Sequence, residues 1–538
     1  MTDLSTTFTP AATADHRPQL DGRQSPATII TFVVLLGVGL GYAAWSLISD
    51  VDASGARTVT LLPYILLGVA LVIALAFEFV NGFHDTANAV ATVIYTHSLP
   101  PNFAVVWSGL FNFLGVLVSS GAVAFGIISL LPVELILQVG SDAGFAMVFA
   151  LLIAAIIWNL GTWWLGLPAS SSHTLIGSII GVGVANALMK GRDGTSGVDW
   201  EQATKVGYSL LLSPLVGFIC AALLLLVLKA FVKQKELYQE PKGKAPPPWW
   251  IRGLLILTCT GVSFAHGSND GQKGMGLIML ILVGTVPMAY ALNRAMPASE
   301  VAAFVALAEK TQREVAGPNP GQVTLPQART TISDYVRTKT YSEPVNGALA
   351  ALIGGVAAEV KRHGTLAQVP AEAVSNVRND MYLMSESIRL MQKTKAGHLD
   401  EDTAGDVKAL KSRLDDATRF IPLWVKVAVA IALGLGTMIG WKRIVVTVGE
   451  KIGKTHLTYA QGASAELVAM TTIAAADMYG LPVSTTHVLS SGVAGTMAAN
   501  KSGLQMSTIR NLALAWVLTL PVAILLSGSL YWIFRHIF

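Results

Sequence analysis

Two stretches, GLPASSSHT (166–174) and GLPVSTTHV (480–488), share a Gly-Leu-Pro start, three consecutive hydroxyl or small polar positions and a histidine. Proline stops one helix and hydroxyl side chains cap the next, so each stretch predicts a helix N-terminus with free amide donors and hydroxyls beside it. Ser170, Ser171 and Ser172 would form one donor cradle, and Ser484, Thr485 and Thr486 the other. Neutral donors at the positive end of a helix dipole are suited to holding an oxyanion, here from two sides. A second pair of stretches carries carboxylates: FVNGFHDTANAVAT from Phe79 and FAHGSNDGQKGMG from Phe264, which align Gly82 with Gly267 and Asp85 with Asp270.

The elements that must position these groups are membrane spans. Of the 538 residues 52% are hydrophobic and 13% charged, against about 25% charged in soluble domains. Apolar runs at 27–48, 61–80, 103–131, 146–165, 206–232, 251–264, 421–440 and 512–534 approach or exceed the roughly 20 residues that cross a bilayer as a helix. Lipid leaves no backbone hydrogen bond open, and these runs are too long for barrel strands. The expected fold is an all-α polytopic membrane protein. A net charge of +4 without a basic stripe argues against nucleic acid. Cys220 and Cys259 sit far apart in apolar segments and suggest neither a disulfide nor a metal cluster, and no cofactor is expected.

The chain divides into a polar tail (1–26), a first transmembrane half (27–232), a basic Pro-rich loop (233–250), the start of a second half (251–292), an extramembrane helical insertion (293–420) and the remainder of the second half (421–538). The insertion holds 16 Lys/Arg and 15 Asp/Glu. The positive-inside rule puts the basic loop in the cytoplasm. The two halves repeat each other, Pro168 and His173 aligning with Pro482 and His487. Asp85 lies 86 residues before Ser171, and Asp270 lies 215 before Thr485; the excess of 129 is close to the length of the insertion. Within each copy an apolar helix is expected to break at a Gly-rich polar segment and resume, the pattern of secondary-transporter binding sites.

A carboxylate near the bilayer centre costs about 2.5–3.5 kcal/mol on insertion scales, so Asp85 and Asp270 require a bound cation, a proton or a substrate that donates hydrogen bonds. Hydrogen phosphate donates and sulfate at neutral pH does not, which favours phosphate among oxyanions.

The segments GFHDTANAVAT, GLPASSSHTLIG, AHGSNDGQKG and GLPVSTTHVLSSGVAGT resemble the repeated signatures of the inorganic phosphate transporter (PiT) family, most closely its low-affinity bacterial branch. The resemblance implies two inverted repeats with interrupted helices in a bacterial inner membrane, and a homodimer. It implies a phosphate site from Asp85, Ser170, Ser171, Ser172, Thr174, Asp270, Gly271, Ser484, Thr485 and Thr486, with symport driven by sodium or protons. It also implies that divalent metal ions can accompany phosphate as a neutral metal phosphate, with no resident metal. Sodium-coupled relatives resemble G-A-N-D-x-A-N in both halves. Here His84 replaces the first Asn of the first copy, Lys273 replaces the last Asn of the second, and Asn88 is kept in the first copy only. The Lys273 ammonium, three residues after Asp270 on one helical face, can supply the charge a sodium ion otherwise brings. Proton coupling is inferred, with His84 and the Asp270/Lys273 pair as titrating candidates and Asn81, Asn88 and Asn269 as further coupling-ion candidates.

Other readings weigh against this one. The serine clusters could be caps and close-packing residues alone, although their duplication argues otherwise. His173 and His487 are expected to donate to a nearby carbonyl or hydroxyl rather than to touch the substrate. Glu78, Glu466 and Asp477 lack partners in the other copy, so a local hydrogen-bonded or interfacial role is as plausible for them as transport. A hydrolase would need one activated serine in a G-x-S-x-G elbow, and a channel would need pore-lining rings. The nearest rivals are a sulfate permease on the same fold and a sodium-coupled phosphate symporter.

Overall fold

The computed structural model describes residues 18–20, 26–55, 62–85, 87–131, 136, 141–241, 243, 245–316, 323–397 and 399–537, with the backbone alone at 87 and 88. Most of the polar tail at 1–26 and the side chain of Asn88 lie outside the described residues. Among the described residues there is no strand, only an isolated antiparallel bridge between Gly453 and Leu504.

The first half contributes α1 (Pro26–Ala53), α2 (Leu62–Asp85), α3 (Ala87–Tyr95), α4 (Pro101–Val118), α5 (Ala122–Ile128), α6 (Asp142–Trp164), α7 (Ser171–Met189) and α8 (Trp200–Phe231). The long α9 (Trp249–Thr285) opens the second half. Five helices follow in the insertion: α10 (Ala298–Ala316), α11 (Leu325–Thr338), α12 (Pro344–His363), α13 (Ala371–Thr394) and α14 (Glu401–Thr418). The second half resumes with α15 (Leu423–Gly436), α16 (Tyr459–Met478), α17 (Thr485–Ala499) and α18 (Met506–Ile537).

Seven helical stretches among the described residues are long and apolar enough to cross a membrane: α1, 62–95, α4, α6, α7, α8 and α18. The outer faces of α1, α8 and α18 carry exposed large apolar side chains such as Ile30, Val38, Leu211, Leu215, Val517 and Leu525. Hydrocarbon gives so many of them a favourable surrounding, where water does not. The protein is a multi-pass helical membrane protein.

Two expected elements differ in detail. The apolar run 103–131 is two helices, α4 and α5. The Ser119 hydroxyl bonds back to the Val116 carbonyl at 2.8 Å, and Gly121 turns the chain at φ 87°, a conformation that favours glycine. In the second copy the break expected at FAHGSNDGQKGMG is absent: α9 runs unbroken for 37 residues. Its glycines admit neighbouring helices instead of bending the chain. Interruptions fall at the two Gly-Leu-Pro motifs, between α6 and α7 and between α16 and α17; in the first acid motif α2 ends at Asp85 and α3 begins at Ala87, with Thr86 between them outside the described residues.

Helices of the two copies pair crosswise. α2 packs on α15 while α9 packs on α4, and α7 packs on α18 while α17 packs on α8. Matching glycines set these distances. A Cβ at Gly82 would lie 2.3 Å from the Leu433 carbonyl oxygen, and one at the aligned Gly267 would lie 2.1 Å from that of Asn112. Small residues allow this approach between membrane helices, where van der Waals contact replaces the hydrophobic effect as the main attraction.

The insertion has its own apolar core, in which Leu349, Ile353, Met384, Leu410 and Leu414 are wholly buried. Its two ends meet where the Asn293 amide donates to the Ala417 carbonyl at 2.8 Å. A basic cluster holds it to the start of α8: Lys339 pairs with Asp199 at 2.8 Å, Arg389 lies 3.8 Å from Asp199, and Lys393 pairs with Glu201.

Candidate functional site

Each Gly-Leu-Pro motif ends one helix and starts another. Ser170 caps α7 by accepting from the His173 amide at 3.2 Å, and Ser484 caps α17 by accepting from the His487 amide at 3.1 Å. The cap frees the next hydroxyls to point inward. Ser171 donates to Asp85 at 2.5 Å and also reaches the Asn81 side-chain oxygen at 2.8 Å. Thr486 of the other cradle donates to the second oxygen of the same carboxylate at 2.8 Å. Asp85, the last described residue of α2 before Thr86, thus joins the two copies. His84 completes this group, with Nδ1 2.9 Å from Asp85 and Nε2 3.2 Å from the Thr162 hydroxyl.

The second carboxylate is organised differently. Asp270 is fully buried and lies 2.7 Å from the Lys273 ammonium one turn on, and 3.4 Å from His266 Nε2 one turn back. Lys273 also donates to Ser172 at 2.5 Å, and Ser172 donates to the Val483 carbonyl at 2.7 Å. A buried cation without partners would cost several kcal/mol, and here Lys273 has an anion and a hydroxyl. Asn269 takes a supporting place: its amide donates to the Leu481 carbonyl at 3.1 Å and its oxygen accepts from the Val483 amide at 3.5 Å, fixing the segment before Ser484.

The other expected site residues are placed as follows. Thr174 donates to the Ser170 carbonyl at 2.9 Å, within its own helix. Gly271 faces α4, where a Cβ would lie 2.6 Å from Val116. The Thr485 hydroxyl is buried and has no hydrogen-bond partner among the described residues. His173 and His487 stack on each other with centroids 4.6 Å apart, and His487 stacks in turn on Trp516 at 4.2 Å. Neither His173 Nδ1 nor His487 Nε2 reaches a carbonyl or hydroxyl among the described residues.

The sequence reading missed His266, whose Nδ1 is 2.7 Å from the Asn112 side-chain oxygen. Its signal was available, because His266 aligns with Asn81 in the repeat. Asp85, His266 and Asp270 each offer a ligand atom within 4.8 Å of the others. Two carboxylates and an imidazole suit a divalent cation. Asp477 also finds partners: Ser268 donates to it at 2.6 Å and Gln272 at 2.6 Å.

A site of this kind, two hydroxyl-lined helix starts facing one compensated acid, calls for comparison with known transporters. The sequence pattern of the phosphate transporter family matches residues 81–527. The chain belongs to the phosphate transporter family. It is 43% identical over 491 residues to the low-affinity inorganic phosphate transporter PitA of Escherichia coli, covering 87% of this chain and 96% of that protein. It is 42% identical to PitB of the same organism, with the same coverage, and 27% identical to a probable low-affinity inorganic phosphate transporter of Bacillus subtilis over 88% of this chain and 99% of that one. The solved structure of a sodium-dependent phosphate transporter aligns over 88% of this chain and 100% of that chain, with a TM-score of 0.50 and 20% identity, a likeness of fold. As a member of a family of transporters the protein is not an enzyme.

Proposed function

We propose that the protein takes up inorganic phosphate across the bacterial inner membrane by proton-coupled symport, its two copies being inverted relative to each other and alternating access around the shared site. The observation that carries this reading is the convergence of Ser171 and Thr486, one from each cradle, on Asp85. Phosphate oxygens accept hydrogen bonds just as a carboxylate does. An arriving phosphate therefore accepts the two hydroxyl hydrogen bonds in place of Asp85, and Asp85 is left needing a positive partner. A proton or cation that enters the buried group close by at that moment binds more tightly because phosphate is present, and the reverse holds by linkage. Substrate and coupling ion then move together.

Lys273 supports protons over sodium, since its ammonium already fills the positive role beside Asp270 at 2.7 Å. Phosphate is favoured over sulfate because hydrogen phosphate can donate to Asp85 once its other oxygens hold Ser171 and Thr486. The grouping of Asp85, His266 and Asp270 favours a second form of the cargo, a divalent metal with phosphate, the metal being substrate and not resident.

The test is uptake of radiolabelled phosphate by the purified protein in liposomes under an imposed pH gradient, with sodium and magnesium each present or withheld. Uptake that follows the pH gradient, ignores sodium and resists unlabelled sulfate supports the proposal. Strict sodium dependence or effective sulfate competition overturns the corresponding part.

A further inference from the structure

The Glu78 carboxyl belongs to neither cradle. It lies on α2 two turns before Asp85 and is fully buried. Its Oε2 accepts from the Asn81 side-chain amide at 3.4 Å, while no side chain among the described residues bonds Oε1, which lies against the Gly274 backbone. Across from it is α9: a Cβ at Gly274 would lie 2.5 Å from Oε1, so that glycine makes the room the carboxyl occupies. Gly274 follows Lys273, and the charged groups that act on Glu78 are Lys273 and Asp270, both from α9. Among the described residues no salt bridge holds it.

Glu78 is nevertheless wired to the site. Asn81 turns its amide to Glu78 and its oxygen to Ser171, whose hydroxyl reaches Asp85. A change of charge at Glu78 reorders Asn81, and Asn81 shares the hydroxyl that phosphate must take. The two copies differ here. Ser263 aligns with Glu78 and makes a neutral hydroxyl pair with Ser108 at 2.7 Å. Glu466, another buried acid, bonds Thr258, three turns before Asp270 on α9, and interacts with Thr92, and among the described residues no hydrogen-bonded chain leads from it to either aspartate.

We propose that Glu78 is the residue that carries the coupled proton, a reading that rests on the proton-coupled symport above and names its site. Glu78 takes a proton from water on the side of higher proton concentration and returns it to water on the other side as the helices rearrange. Protonation removes a negative charge close to where a doubly charged phosphate arrives, so the two bind together; a phosphate leaving on the far side favours loss of the proton. Intramembrane carboxyls commonly serve such relays, and the reciprocity follows from linkage.

The experiment compares wild type and Glu78→Gln, each checked for folding by size-exclusion chromatography, in liposomes. Two rates are read: phosphate accumulation driven by an inward proton gradient, and exchange of labelled external against unlabelled internal phosphate at equal pH. Glu78→Gln is expected to lose accumulation by at least about tenfold, within the range of site-to-site coupling energies, while exchange survives and no longer varies with pH. Accumulation equal to wild type, or loss of both rates in a folded variant, overturns the assignment. If wild type itself ignores the proton gradient, proton symport fails and this proposal with it, an outcome distinct from failure of Glu78 alone. Should Glu78→Gln not fold, Glu78→Asp is read instead: a displaced pH profile of uptake supports the proposal and an unchanged one overturns it.

Discussion

Lys273 and Ser172 lie 2.5 Å apart, so the cation of the second copy's acid motif reaches the hydroxyl cluster of the first. The same ammonium holds Asp270 at 2.7 Å. It therefore does locally what a bound metal cation does elsewhere, neutralising a buried acid while ordering a donor. Lys273 aligns with Asn88 of the first copy, which suggests its own test. Lys273→Asn should lower sodium-free uptake by about tenfold or more, equivalent to about 1.4 kcal/mol, and sodium should restore much of it. Equal uptake with and without sodium would remove Lys273 from the coupling argument.

Asp85→Asn should abolish uptake while leaving an inserted, folded protein. An amide offers one accepting oxygen where the carboxylate offers two charged ones, and hydrogen bonds to charged groups contribute about 1.5–3 kcal/mol each. Ser171 and Thr486 use both oxygens. Transport within a few fold of wild type, measured at matched protein density in the membrane, would exclude Asp85 from the site.

Because Ser171 and Thr486 share that carboxylate, their effects should not add. Ser171→Ala, Thr486→Ala and the double variant form a cycle whose coupling is expected at about 0.5–3 kcal/mol in the apparent phosphate affinity. Strict additivity would mean that the two cradles act independently.

Gly267→Ala should prevent folding, or cost about 1–3 kcal/mol or more, because the new methyl meets the Asn112 backbone and not a yielding side chain. Gly253, on the same helix, has no atom within 4 Å of an added Cβ and provides the control. The yield of monodisperse protein after detergent extraction reports both. Equal yields would contradict the close crossing of α9 and α4.

The clasp between insertion and membrane half should be weak and salt-sensitive. Asp199→Asn keeps an oxygen for the Glu201 and Gln202 amides at 3.1 and 3.2 Å, preserving the cap of α8, but removes the charge facing Lys339 and Arg389. Partly exposed pairs contribute about 0.2–1 kcal/mol. Thermal unfolding should show a small loss at low salt that shrinks at high salt; a large, salt-independent loss would mean that Asp199 is held by packing.

What the sequence by itself determined is the part of the protein that needs only near neighbours along the chain. Apolar runs gave helices, Pro168 and Pro482 ended them, and Ser170 and Ser484 capped the next ones through amides three residues away. The duplication and the phosphate family were readable for the same reason, since motif order survives without coordinates. Tertiary structure decided which groups meet. On α9 every residue from Ala265 to Leu282 is buried, so no amphipathic stripe tells which face turns where; that hid the unbroken course of the helix and the direction in which His266 turns. Thr486 meets Asp85 across 401 residues, and His173 stacks on His487, because glycine-lined helices of the two copies cross at backbone contact. That crossing is a property of packed surfaces, and no local pattern of residue types encodes it.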